Sequence, residues 1–203
     1  MDISSLNLLI GLIEKACLVL IVVYLMSRTR FFDSVVTRNL NTRAQIILVI
    51  IFGILAIYGT YSGVKTIGAI ANIRNLGPMI AGLIGGPWVG LGAGLIGGVH
   101  RFFLGGFTAT PCAIGTILSG LAMGVFYTII KGRIGIWKPI LLAFILEVID
   151  MALILLIARP LGDVTDLIKI IGMPMILGDT IGVAVFVYMF SKIVGDRKAI
   201  GLL

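Results

Sequence analysis

Six apolar stretches separated by short polar segments organise the chain, at residues 6–26, 45–62, 76–98, 112–130, 139–158 and 170–190. Each is long enough to cross the roughly 30 Å of a bilayer's hydrocarbon as a helix. The pattern predicts an all-α integral membrane protein with six to seven transmembrane helices. The first stretch follows Met1-Asp2-Ile3-Ser4-Ser5, which lacks the basic region of a secretory signal, and no small-residue cleavage site ends it, so it reads as a retained helix. The third contains Gly85, Gly86 and Pro87, a helix stop followed by a favoured first helical residue.

Whether the third stretch crosses once or twice decides the orientation. A single crossing puts the basic segments 28–43 and 131–138 on opposite sides, against the positive-inside tendency. Two short helices hinged at Pro87 give seven spans, with the N-terminus outside and the C-terminus inside. Arg28, Arg30, Arg38, Arg43, Lys131, Arg133, Lys138, Lys192, Arg197 and Lys198 then lie inside, and Lys65, Arg74, Arg101, Arg159 and Lys169 outside, with Lys15 within a span. The alternative is one long helix kinked at Pro87.

With 59% hydrophobic residues, 12% charged residues and a mean hydropathy of +1.16, the 203-residue chain cannot surround a water-soluble core. There is no room for a soluble catalytic domain. The net charge of +7 sits between apolar stretches, where lipid headgroups and topology account for it and nucleic acid does not. Cys17 and Cys112 have neither disulfide-framework nor zinc spacing and read as free thiols, and no cofactor is indicated. His100 is the only histidine, which excludes a multi-histidine metal site.

Gly82, Gly86, Gly90, Gly94 and Gly98 recur at every fourth position, so on continuous helix they form a bare stripe where another backbone can approach. Thr116, Gly120 and Gly124 repeat the spacing later. The stripe serves helix packing or, beyond that, a helix pair able to shift. The glycine-rich segment 100–110 predicts a loop or broken helix dipping back into the protein.

Arg74, Arg101 and Arg159 fall at outer helix ends under the seven-span arrangement. A guanidinium offers a planar fork that suits a carboxylate or phosphate, so these arginines are candidates for a small anion arriving from outside. The competing roles are headgroup contact and pairing with a buried acid. Glu14, Glu147, Asp150 and Asp179 lie within or at the edges of spans, where a charge is costly. Glu147 and Asp150 share a helix face and could receive Arg159, Lys15 or a coupled proton. No nucleophile or metal set accompanies them, so catalysis is not indicated.

The chain resembles the membrane sensor region, 5TM-5TMR-LYT, of LytS/YehU-type bacterial histidine kinases over nearly its whole length. The residues that carry the likeness are Tyr24-Leu25-Met26-Ser27, Ala71-Asn72-Ile73-Arg74, Gly82-Leu83-Ile84-Gly85-Gly86-Pro87, Gly97-Gly98-Val99-His100-Arg101, Gly105-Gly106-Phe107-Thr108-Ala109 and Ile157-Ala158-Arg159-Pro160. The resemblance implies a multi-pass input domain of the cytoplasmic membrane at 1–192, followed by a juxtamembrane tail at 193–203 leading to signalling modules. It also implies a homodimer through kinase modules and a cognate response regulator. Among pyruvate-sensing relatives the ligand is assigned to arginines matching Arg74 and Arg101 and to a cysteine matching Cys112. The serine three residues further on is Gly115 here, beside Thr116, and Asp179 stands where such relatives tend to carry Asn.

These readings combine into a carboxylate clamped by Arg74 and Arg101, with Cys112, Thr116 or the segment from Thr108 contacting its remaining polar group. The runner-up is a small-solute-binding transport subunit. A third reading, from LytS-like relatives, is a regulator of murein hydrolases that responds to membrane potential.

Overall fold

The structure, a computed structural model, describes residues 3–29, 31–66, 69–130 and 135–199. Arg30, Lys131 and Arg133 of the predicted inner face lie outside the described residues, as do the Lys15, Lys65 and Lys198 side chains. The elements are α1 (Ile3–Ser27), α2 (Phe31–Val36), α3 (Thr42–Tyr61), β1 (Val64–Thr66), β2 (Ala69–Ala71), α4 (Leu76–Gly85), α5 (Pro87–Phe103), α6 (Ala109–Ile129), α7 (Trp137–Ile157) and α8 (Leu161–Ala199). Among the described residues, Thr42–Tyr61, Ala109–Ile129, Trp137–Ile157 and Leu161–Arg197 are long and apolar enough to cross a membrane.

The described residues are helical apart from one small element. β1 and β2 form a small antiparallel hairpin, with Val64 opposite Ala71 and Thr66 opposite Ala69. Val64, Thr66 and Ile70 are β-branched residues suited to a pleated surface.

The third apolar stretch breaks where its sequence says it should. Gly86 adopts φ 87°, a conformation open to glycine, and Pro87 begins the next helix. The chain reverses there, because Gly82 on α4 meets Gly90 on α5 four residues to either side of Gly86. The reversal does not make α4 a full crossing: its 10 residues rise only about 15 Å, half the hydrocarbon thickness. Every residue of α4 is buried, so it starts and ends inside the bundle.

Pairwise approaches fix the directions of the remaining helices. Along the α5–α6 seam Gly90 lies against Gly120, Gly94 against Ile117 and Gly98 against Ala113, an antiparallel pairing. The glycine stripe therefore is a packing seam, shared between two helices rather than carried by one. Gly53 against Ile96 and Gly97 against Ala56 make α3 and α5 parallel. Arg38 donates from Nη1 to the carbonyls of Ile130 (2.6 Å) and Tyr127 (3.2 Å), joining the segment after α2 to the end of α6. The basic segment that follows α1 and the end of α6 thus share one end of the bundle, the arrangement that a reversing third stretch requires.

α8 starts nine residues before the predicted span and runs beyond it, 39 residues in one helix rising about 58 Å. The expected boundary after residue 192 is not a break in structure, since helix continues to Ala199. α2 tucks under this end: Phe32 is fully buried and stacks edge-on to Phe190, 5.4 Å between centroids.

Candidate functional site

α4 begins deep in the bundle, and this places Arg74 at a depth where a charge must find partners. Its side chain is fully buried. Nε donates to Thr116 Oγ1 on α6 at 2.5 Å, and Nη2 donates to the Cys112 carbonyl at 3.1 Å. Nη1 is buried with no hydrogen-bond partner among the described residues. Gly59 lies against the Arg74 backbone, which lets α3 close over it.

The network continues from Thr116. Its hydroxyl lies 2.8 Å from Asn75 Oδ1 and 2.8 Å from the Cys112 carbonyl, and its one proton serves one of them. Asn75 Nδ2 donates to Glu147 Oε1 at 2.9 Å and to Asp150 Oδ2 at 3.4 Å. Glu147 and Asp150 on α7 are both fully buried, as is Asp179, which α8 brings against Glu147. Glu147 Oε2, Asp150 Oδ1 and both Asp179 oxygens have no hydrogen-bond partner among the described residues. Four helices thus meet at one buried polar cluster.

Arg101 reaches the same region from the end of α5. Nη1 donates to the Gly105 carbonyl (2.7 Å) and Nη2 to Thr108 Oγ1 (2.9 Å), while Nε is buried with no hydrogen-bond partner among the described residues. Both guanidiniums lie beside the Cys112 thiol. The predicted ligand set Arg74, Arg101, Cys112, Thr116 and Thr108 is therefore brought together at the N-terminal end of α6.

Three expectations are corrected. Arg159 is exposed, and its Nη1 donates to the Leu156 and Ala158 carbonyls (3.1 and 2.8 Å). It closes the end of its own helix instead of pairing with Glu147 or Asp150, because those carboxyls face inward and Arg159 follows the last turn of α7. The segment after Arg101 does not dip inward either. Phe102 through Gly106 are exposed, and Gly105 and Gly106, both at positive φ, turn the chain straight into α6. Glu14 is exposed on α1.

Asn75 was not among the expected site residues, yet it joins the arginine side of the cluster to the acid side. It holds the N-cap position of α4 without capping it, its amide being turned to Thr116 and the acids. The available signal was a second asparagine beside Arg74 at the start of an apolar run. Asn72 does local work, its Oδ1 accepting from the Arg74 backbone N–H at 3.1 Å.

Gly115 is explained by Asp150. A Cβ there would fall 1.6 Å from Asp150 Oδ1, so the carboxylate occupies the volume a side chain would need. Gly115→Ser is expected to lower thermal stability by the equivalent of about 2–4 kcal/mol through overpacking and displacement of a buried charge. In the Asp150→Ala background the same substitution should cost far less, a coupling readable from a double-mutant cycle of melting temperatures. Additive effects would show that the contact is not a constraint.

The family described as 5TMR of 5TMR-LYT matches residues 29–193. The sensor histidine kinase BtsS of Escherichia coli K12 is 36% identical over 199 residues, covering 95% of this chain and 35% of the relative. The sensor protein LytS of Bacillus subtilis 168 is 33% identical over 211 residues, covering 95% and 36%, and the sensor histidine kinase YpdA of E. coli K12 is 32% identical over 200 residues, covering 95% and 34%. The chain spans about a third of the length of these relatives. No solved structure matches it. This multi-pass helical bundle with a reversing glycine-rich helix pair, matched over 95% of its length by sensor histidine kinases, belongs to the 5TMR-LYT family of membrane sensor domains.

Proposed function

We propose that the chain is the transmembrane input domain of a two-component sensor histidine kinase, which binds a small carboxylate such as pyruvate from outside and passes the signal to kinase modules, a dimeric partner and a response regulator. The observation that carries this reading is the pair of buried donors without a partner among the described residues, Arg74 Nη1 and Arg101 Nε, on two guanidiniums that converge beside Cys112. A buried donor without a partner is costly, and an incoming carboxylate relieves that cost with charge-assisted bonds. The positive-inside tendency puts the end carrying Arg28, Arg38, Lys138, Lys192 and Arg197 in the cytoplasm, the N-terminus outside and the arginine site toward the outer side.

Both arginines are closed off from solvent, so the ligand reaches them only when α4, α5 and α6 part. The glycine seam is the surface along which they part, and its close backbone contacts set the cost of opening. Binding then favours the parted packing over the closed one, and this differential affinity is what moves a two-state equilibrium. α8, whose Asp179 touches the acid cluster, carries the change toward residue 199.

The test is a thermal-shift panel on the purified chain with pyruvate, lactate, other short carboxylates and phosphate, repeated with Arg101→Gln and Arg74→Lys. Stabilisation by a carboxylate is expected, with apparent affinity falling about tenfold or more in each variant. No stabilisation of the folded native chain by any of these anions would overturn the clamp and favour the potential-responsive role. The broken α4–α5 pair also suits a transport subunit; ligand accumulation in vesicles would favour that reading over sensing.

A further inference from the structure

A cavity of about 660 Å³ opens between the C-terminal ends of α1 and α8, at the end of the bundle opposite Arg101. Its cationic lining is Arg28, Lys192 and Arg197, against one acid, Asp196. Arg197 is already engaged, bonded to Asp33 and to the Ser27 carbonyl and lying over the Phe32 ring at 5.2 Å. Arg28 is held by Tyr24, with Nη2 donating to the phenol at 2.7 Å and the guanidinium 5.2 Å from the ring centroid. Its other nitrogens have no partner among the described residues, and neither does the exposed Lys192. Arg28, oriented by Tyr24, and Lys192 therefore line the cavity with donors to spare.

The rest of the lining says what they face. Tyr24 and Tyr188 are both exposed, and tyrosines at the ends of spans sit at headgroup level. Met189 and Ile193 extend an apolar wall beside them. A phosphate at this depth meets Arg28 and Lys192, while chains attached to it run along the apolar wall. We propose that the cavity is a binding site for the phosphate headgroup of an anionic phospholipid, such as phosphatidylglycerol, which bridges α1 to α8. A free phosphate ion shares the charge but has no use for the apolar wall. The site is independent of the carboxylate reading. Its occupant ties α8 to α1 just where α8 leaves the bundle, so lipid composition sets how freely that helix moves.

The experiment is native mass spectrometry of the full chain released from mixed micelles of phosphatidylglycerol and phosphatidylcholine, with inorganic phosphate added in a second arm. Retention of phosphatidylglycerol over phosphatidylcholine is expected, falling roughly fivefold in Arg28→Gln and in Lys192→Gln. Lys138→Gln, an exposed cation at the same end but outside the cavity, should retain lipid like the native chain. Unaltered melting temperatures of the variants in phosphatidylcholine micelles would confirm that they fold. Equal retention of the two lipids, an equal loss in Lys138→Gln, or displacement of the lipid by inorganic phosphate would each overturn the proposal.

Discussion

Gly90→Leu is expected to prevent the chain from reaching its native packing. A Cβ at Gly90 would stand 2.1 Å from the Gly120 carbonyl oxygen and 2.8 Å from Gly82 Cα. Both obstacles are backbone, so no rotamer change relieves them, and moving either helix opens the seam that joins α4, α5 and α6. In a membrane, close backbone approach is itself a main source of association, since lipid is as apolar as the side chains. The cost should exceed about 4 kcal/mol, enough to abolish a cooperative thermal transition and a monodisperse peak in detergent. Gly162→Ala provides the comparison: nothing lies within 4 Å of that position, and the change should be neutral or slightly stabilising. A Gly90→Leu protein that melts within a few degrees of the native chain would show that the seam is not rigid.

Arg74→Met should carry the second largest cost. Methionine preserves much of the length and none of the donors, so Thr116 and the Cys112 carbonyl lose their guanidinium partner while Glu147, Asp150 and Asp179 stay buried. Removing one side of a buried polar and charged cluster costs about 3–5 kcal/mol. Arg74→Lys should fall between, since it keeps the charge and loses the planar fork. Arg159→Met at its exposed helix end should stay within about 1 kcal/mol. Chemical or thermal unfolding in one detergent would rank the three, and an Arg159 effect as large as that of Arg74 would contradict the burial argument.

The parts of this fold legible in the sequence are those set by neighbours along the chain. Gly85-Gly86-Pro87 announces its own break, because glycine tolerates the positive φ and proline, with no backbone N–H to bond, suits the first turn of the next helix. The four-residue glycine spacing announces a face without side chains. Arg74 and Arg101 announce themselves as charges in apolar surroundings. Arg159 looked the same and behaves differently, since its fate depends on the direction in which the end of α7 points.

Sequence alone determined that the chain lives in a bilayer, where its third helix breaks, which helix faces are bare, and that Arg74, Arg101, Glu147, Asp150 and Asp179 are charges in apolar surroundings; these follow from hydropathy, backbone conformational limits and the cost of a charge in hydrocarbon. Only the tertiary structure decided that α4 starts deep in the bundle just after Arg74, and that Asn75 connects Thr116 to Glu147 and Asp150. It also decided that Asp150 fills the space left by Gly115, and that Arg28 and Lys192 share a cavity. Each of these joins residues on different helices. Their proximity depends on how deep each helix starts and how it is rotated about its axis, and packing between helices sets both.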